Sequence, residues 1–179
     1  MRIDNPQDFV FGEAADERAA YNGDCYIAAN QAALALGTAL TATMVTLALV
    51  NPLSSQKRVK VLRAGVSLGS APAGAALYVL GMVGPPAVDP ITNTLAPGFR
   101  RTNGSDGIGD AFAYTVATLG AVPEVIDTIG SIPVTGFVGA TDFARTYQTL
   151  ILQPGSSVTI QGLTTASTGI CSFLWREMD

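Results

Sequence analysis

The stretch LALVNPLSSQKRVKVLRAGVSL, residues 47–68, decides how the chain is read. Two apolar runs flank a short loop, Asn51-Pro52-Leu53-Ser54-Ser55-Gln56. Four of the chain's ten basic residues come directly after it: Lys57, Arg58, Lys60 and Arg63. Such a loop can cradle a phosphate, meet nucleic acid, form the elbow of a membrane hairpin, or turn the chain between two strands. A phosphate cradle needs glycines, so that backbone N–H groups can approach the anion, and a helix directly after. This loop has no glycine. The residues beyond the loop alternate in part, with Val59 and Val61 on one side and Arg58 and Lys60 on the other, the pattern of a strand with one wet face. Asn51-Pro52 ends the run before it. The stretch is expected to be a β-hairpin whose basic residues line the wet start of its second strand.

The surrounding composition narrows the function classes. The chain has 179 residues, enough for one domain with a real core. It is 48% hydrophobic and only 13% charged, about half the usual charged share. So little polar coating suits a subunit whose surface is covered in an oligomer or a larger assembly. A net charge of −4 argues against nucleic acid as a partner. The basic cluster does make a local positive spot, because no Asp or Glu lies between Asp24 and Asp89. No aromatic residue interleaves it, so it lacks a platform for stacking bases. Its charge suits the acidic face of a protein neighbour, making Lys57, Arg58, Lys60 and Arg63 candidate docking residues.

Enzyme chemistry finds little purchase. The chain has no histidine, which removes the usual acid–base group and zinc ligand near neutral pH. Serines and threonines are plentiful but have no histidine base to activate them. Asp106 and Asp110 sit in DGIGD, a fragment of a calcium-loop pattern without the EF-hand spacing. No catalytic residue, metal ligand or cofactor site is expected. Cys25 and Cys171 read as buried thiols of a protein made in a reducing cytoplasm. Residues 26–56 and 64–88 carry no charge, and each exceeds the ~20 residues of a bilayer span. They are too rich in Thr, Ser, Asn, Gln, Pro and Gly for that role, and no membrane partner is expected.

Residues 1–25 hold six of the fourteen acidic residues and no apolar run of the secretory type. They read as an extended N-terminal arm, with Phe9, Phe11 and Tyr21 as apolar anchors for docking on a neighbouring chain. Residues 26–179 read as one domain. Short strands are expected near 44–50, 58–68, 74–84, 111–119, 121–129, 131–140, 149–152, 157–161 and 170–177, with Gly, Pro, Asn and Ser turns between them. Residues 87–110 lack any period and read as a long surface loop. In the last strand Ile170, Ser172, Leu174 and Arg176 share one face, with Cys171, Phe173 and Trp175 on the other. Trp175, the single tryptophan, is expected to anchor the core. Eight or nine short strands without paired helices point to an all-β antiparallel sandwich of jelly-roll type, an architecture whose edges are often covered by trimerisation.

Two motifs carry a resemblance. Asn51, Pro52, Ser55 and Lys57 match an NPxxSxK loop, and Pro154-Gly155 with Trp175 and Glu177 match a terminal Pro-Gly turn followed by W-x-E. Together they resemble small trimeric jelly-roll virion proteins of tailed bacteriophages. The resemblance implies a capsid decoration (cement) protein. It would be a homotrimer, assembled in the host cytoplasm, that binds the major capsid protein and neighbouring decoration trimers on the head surface. The alternative on the same fold is the head of a fibre or spike. Loop 87–110 would then recognise a host receptor or glycan, although Phe99 is its only aromatic residue.

Overall fold

The computed structural model describes residues 12–43, 45–69, 72–85, 92–95, 100–102, 109–133 and 142–179. One helix, α1 (Gly12–Asn22), precedes thirteen strands among these residues. In chain order they are β1 (Cys25–Ala29), β2 (Leu34–Ala35), β3 (Val45–Asn51), β4 (Arg58–Leu68), β5 (Ala76–Val83), β6 (Thr92–Leu95) and β7 (Arg100–Arg101), then β8 (Phe112–Thr118), β9 (Glu124–Ile132), β10 (Asp142–Thr146), β11 (Ile151–Leu152), β12 (Ser156–Leu163) and β13 (Thr168–Met178).

The strands form two antiparallel sheets, an all-β sandwich. The first runs β10-β4-β13-β1-β7, with β11 also on β4 and β2 on β13. The second runs β6-β8-β3-β12-β5-β9. The core lies between them. Tyr26, Val59, Val61, Phe173 and Trp175 enter it from the first sheet, and Leu47, Leu49, Tyr78, Leu80 and Ile160 from the second. Strand β13 alternates as its sequence does: Cys171, Phe173 and Trp175 are buried, while Ser172, Leu174 and Arg176 are only partly covered. The second sheet is different. Its far face carries a smaller apolar cluster of Ala48, Val50, Val83, Ala117 and Leu119. Strand β12 is therefore buried along nearly its whole length. Strand β3, also covered on both faces, reads as the apolar run LALV, while β12 buries Ser157, Thr159 and Gln161 on its far side.

That difference overturns the hairpin expected at residues 47–68. Strand β3 pairs with β8 and β12, and β4 pairs with β13, β10 and β11; they do not pair with each other. The loop 52–57 instead carries the chain from the second sheet to the first. The terminal pair behaves the same way. Strand β11 lies on β4 in the first sheet, β12 lies in the second, and β13 returns to the first. The doubly covered LALV run belongs in the middle of a sheet buried on both faces, and the alternating RVKV run belongs in a half-wet one. One hairpin cannot satisfy both.

Strand β4 alternates only in part because it contains a bulge. Arg63 faces Leu174 and Val61 faces Trp175, so Leu62 is the extra residue. The bulge shifts the phase by one and keeps Val59, Val61, Ala64 and Val66 all buried.

Two further expectations are corrected. The arm is not extended over Gly12–Asn22; it is a helix, and Glu13, Ala14, Ala15, Glu17, Arg18, Ala19 and Ala20 are favourable helix formers. Ala19 is buried, and α1 packs on β1 and β13. Nor is 87–110 an uninterrupted loop: Thr92–Leu95 pairs with β8 and Arg100–Arg101 with β1, adding a short strand to the edge of each sheet. The expected strand at 131–140 contributes its first residues to β9, and 134–141 lie outside the described residues.

Candidate functional surfaces

The two motifs meet at one end of the sandwich. Asn51, the last residue of β3, is fully buried. Its Nδ2 donates to the carbonyl oxygens of Lys57 at 2.9 Å and Leu152 at 3.1 Å. Its own carbonyl accepts from the Gly155 N–H at 2.8 Å. One residue thus holds two of the sheet-to-sheet crossings, 52–57 and 153–155. The second crossing turns on Pro154-Gly155. The Ser156 N–H bonds the Gln153 carbonyl at 3.1 Å, and Gly155 has a φ of 82°, the left-handed value that suits glycine after proline in a type II turn. In the first crossing, Ser55 Oγ accepts from the Lys57 N–H at 3.1 Å.

The Lys57 side chain then reaches across to β13. Its Nζ lies 3.5 Å from both Glu177 Oε2 and Asp110 Oδ2. The Glu177 carboxylate is buried, and its Oε1 accepts from the Ala111 N–H at 2.9 Å. Burial pulls the Lys57 pKa down, but Glu177 and then Asp110 outweigh it and hold the pKa above the ordinary lysine value. A side chain at Gly109 would collide with the Glu177 carboxylate, so the segment can pass this close only as glycine.

A second ionic group fastens the helix. Asp16 of α1 accepts from Lys60 Nζ at 2.8 Å and from Arg176 Nη1 at 3.3 Å, bridging β4 and β13. Arg58 donates to the carbonyl of Asp179 at 2.7 Å. Of the four basic residues expected to form a docking spot, three are therefore engaged within the chain. Arg63 is exposed and has no ion-pair partner among the described residues. The proposed arm anchors divide. Tyr21 is the most exposed large apolar side chain among the described residues, at 87%, while Phe9 and Phe11 lie outside them. Trp175 is fully buried, its ring stacked on Tyr26 with centroids 5.7 Å apart.

Sequence reasoning missed Asp16 as a bridge and Asn51 as a clamp. The partners of Asn51 lie 6 and 101 residues away, and Glu177 lies 120 residues from Lys57. No local spacing encodes such pairs. Comparison with family models, curated proteins and solved structures finds no match. Among the described residues, no helix is long and apolar enough to cross a membrane, and no group of three or more His, Cys, Asp or Glu side chains could hold a metal ion.

Both cysteines are buried. Burial, reinforced by Asp16, pushes the Cys25 thiol up to about 11, and burial alone pushes Cys171 up as well. Neither thiol is a nucleophile near neutral pH. Thiol-labelling of the folded protein is expected to be slow, with both cysteines reacting once denaturant is added. A raised thiol pKa also means that the unfolded chain loses its protons first. The stability Cys25 contributes is full below the unfolded value of 9.0 and is lost as pH rises through about 11, and that of Cys171 is lost at still higher pH. Lys57, Tyr26 and Tyr147 are shifted in the same direction, so unfolding midpoints should fall on the alkaline side. Midpoints that hold steady through this range would contradict the burial of these groups.

Proposed function

We propose that the chain is a structural subunit of a tailed-bacteriophage particle, a capsid decoration protein acting as a homotrimer with a jelly-roll fold. The strand order supports the jelly-roll reading. Strands β1-β13-β4-β10 face β3-β12-β5-β9, and among these eight the chain changes sheet at β1–β3, β3–β4, β4–β5, β9–β10, β10–β12 and β12–β13. This order supports a reading as two interlocked Greek keys, with β6, β7 and β8 as additions at the edges.

One observation carries the functional reading. The two motifs that resemble phage virion proteins are joined as a single bonded unit: Asn51 holds Gly155, and Lys57 pairs with Glu177. Motifs matched by chance in separate parts of a chain have no reason to bond to one another. The work such a protein does is burial and cross-bridging, which suits a chain that is 48% hydrophobic and 13% charged. The trimer would sit over capsid three-fold positions and bind the major capsid protein and neighbouring trimers.

The test is made on purified particles. Gels and mass spectrometry should find the chain at hundreds of copies per particle, and particles lacking it should lose their genome at lower temperature. Absence from particles would end this reading. A copy number of a few dozen would move it to a fibre or spike head.

A further inference from the structure

Cys25 is buried, but not in the core. Tyr26 and Ala28 of β1 enter the space between the sheets, and Cys25 does not join them. Alternation places it on the outer face of the first sheet with Ile27, which is 41% exposed. The residue opposite Cys25 on that face is Arg176, and the residue opposite Arg176 is Lys60. Both of these side chains reach solvent in part. Cys25 itself is only 2% exposed.

What covers it is α1. Cys25 Sγ donates to the Asp16 carbonyl at 3.7 Å. The Asp16 carboxylate spans the other two members of the row, Arg176 and Lys60. The helix therefore lies across the row Cys25–Arg176–Lys60 as a cover.

Its hold on the sheet is slight. Among the described side chains of α1, only Ala19 is buried. Ala19 stands three residues from Asp16 and so shares its face of the helix. Tyr21, the one large apolar side chain of the helix, is turned out to solvent. One carboxylate and one small apolar side chain make the contact. Both ion pairs are partly open to water, where such pairs are weak and screened by salt.

The link to the sandwich is short and has one free joint. Gly23 and Asp24 are the only residues between α1 and β1. The Asp24 carbonyl is fixed by the Glu177 N–H at 3.0 Å. Gly23 ends the helix with a φ of 86°, and its lack of a side chain lets the chain turn there.

We propose that α1 is a hinged lid, latched by Asp16 onto Arg176 and Lys60, which swings on Gly23 and uncovers Cys25 and the two cations while the sandwich stays folded. The inference is independent of the particle reading. Cys171 supplies the contrast. It points into the core and is fully buried, so only opening of the sandwich itself exposes it. The two thiols thus report two different openings of one molecule.

The test is alkylation of the full chain by iodoacetamide without denaturant, each cysteine read separately by peptide mass spectrometry. In the wild type Cys25 should react slowly, yet well before Cys171. Raising sodium chloride to about 1 M should speed Cys25 about threefold or more and leave Cys171 unchanged. Lys60→Gln and Arg176→Gln should each speed Cys25 by a similar factor. These variants separate the lid from a direct effect on the thiol. Lys60 and Arg176 both favour the Cys25 thiolate, so losing either without opening the lid would slow the reaction. Amide exchange over residues 16–22 should quicken in the same variants and in Asp16→Asn. If the two cysteines always react together, Cys25 is uncovered only by global unfolding and the lid is overturned. If Cys25 reacts first but salt and the variants fail to speed it, Asp16 is not the latch and the proposal falls. Should Arg176→Gln fail to fold, as early labelling of Cys171 would show, the salt series and Lys60→Gln decide.

Discussion

Replacing Trp175 with alanine is expected to destabilise the fold by about 3–5 kcal/mol, the range for removing a large aromatic side chain from a packed core. Trp175 is fully buried and is the largest of the fully buried side chains. It sits opposite Tyr26 of β1 on one side and Val61 of β4 on the other, at the middle of the first sheet. The indole stacks on the Tyr26 ring with an interplanar angle of 19°. Its removal forfeits the burial of the indole, the aromatic pair and the packing of Val61, and leaves a cavity that flanking strands cannot close without breaking their ladders. For a domain of this size the midpoint of thermal unfolding should fall by roughly 6–20 °C. Trp175→Phe keeps a ring at the site and should cost less than half as much. Since the chain has one tryptophan, unfolding is best followed by far-ultraviolet circular dichroism at fixed protein concentration. An alanine variant as stable as the wild type would mean that the core is not organised around this residue.

Trp175 also shows where a sequence can be read directly. Residues 170–177 alternate because β13 is central in a sheet with one face in the core and the other partly wet, so side-chain polarity maps onto the two faces. The same rule half-worked for β4, where the extra Leu62 moves the inward set from Val59 and Val61 to Ala64 and Val66. A bulge leaves no mark in composition; it shows only as a broken period. It failed for β3, which is covered on both faces and reads as an apolar run, whereas β12 keeps its alternation with Val158 and Ile160 in the core and Ser157, Thr159 and Gln161 buried on the other face. The exposed Val125 and Ile126 of β9 were hidden by the same means, because a bulge places successive apolar residues where alternation would have buried one of them.

The connections were less legible than the strands. Asn-Pro and Pro-Gly mark places where the chain turns, and it does turn at Asn51-Pro52 and Pro154-Gly155. Those residues report local backbone geometry, and a tight hairpin and a crossing between sheets can use the same geometry. What distinguishes them is the identity of the pairing strand. For β3 that is β12, more than a hundred residues on, and for β4 it is β13. The arm failed for the opposite reason. GEAADERAAYN has good local helix propensity, but its acidic charge and aromatic neighbours suggested an extended segment seeking a partner. The partner that holds its helical part is the chain's own Lys60 and Arg176.

The candidate site was legible as two motifs and illegible as one clamp, and Asn51 tests that clamp. Asn51→Ala is expected to cost about 1–3 kcal/mol, because two carbonyls lose a buried donor, the Lys57 carbonyl keeping only its 3.3 Å bond from Ser55 Oγ. The bond from the Gly155 N–H survives, since it uses the Asn51 backbone, so the loss is confined to the Lys57 and Leu152 carbonyls. Those carbonyls lie just before β4 and at the end of β11, which are paired to each other. Releasing them should loosen both crossings together, and with them the placement of Lys57 beside Glu177. Hydrogen exchange should therefore speed up at 52–57 and at 153–155 in the same variant, despite about a hundred residues between them. Asn51→Asp has nearly the same shape but cannot donate when ionised, and it aims a carboxylate at two carbonyl oxygens. Its folded-state pKa must rise above the ordinary aspartate value, so the variant should be less stable than the alanine form near neutral pH and recover as the solution is acidified and the carboxyl becomes a donor. An Asp variant that is insensitive to pH, or exchange that quickens at one crossing only, would show that Asn51 does not join the two.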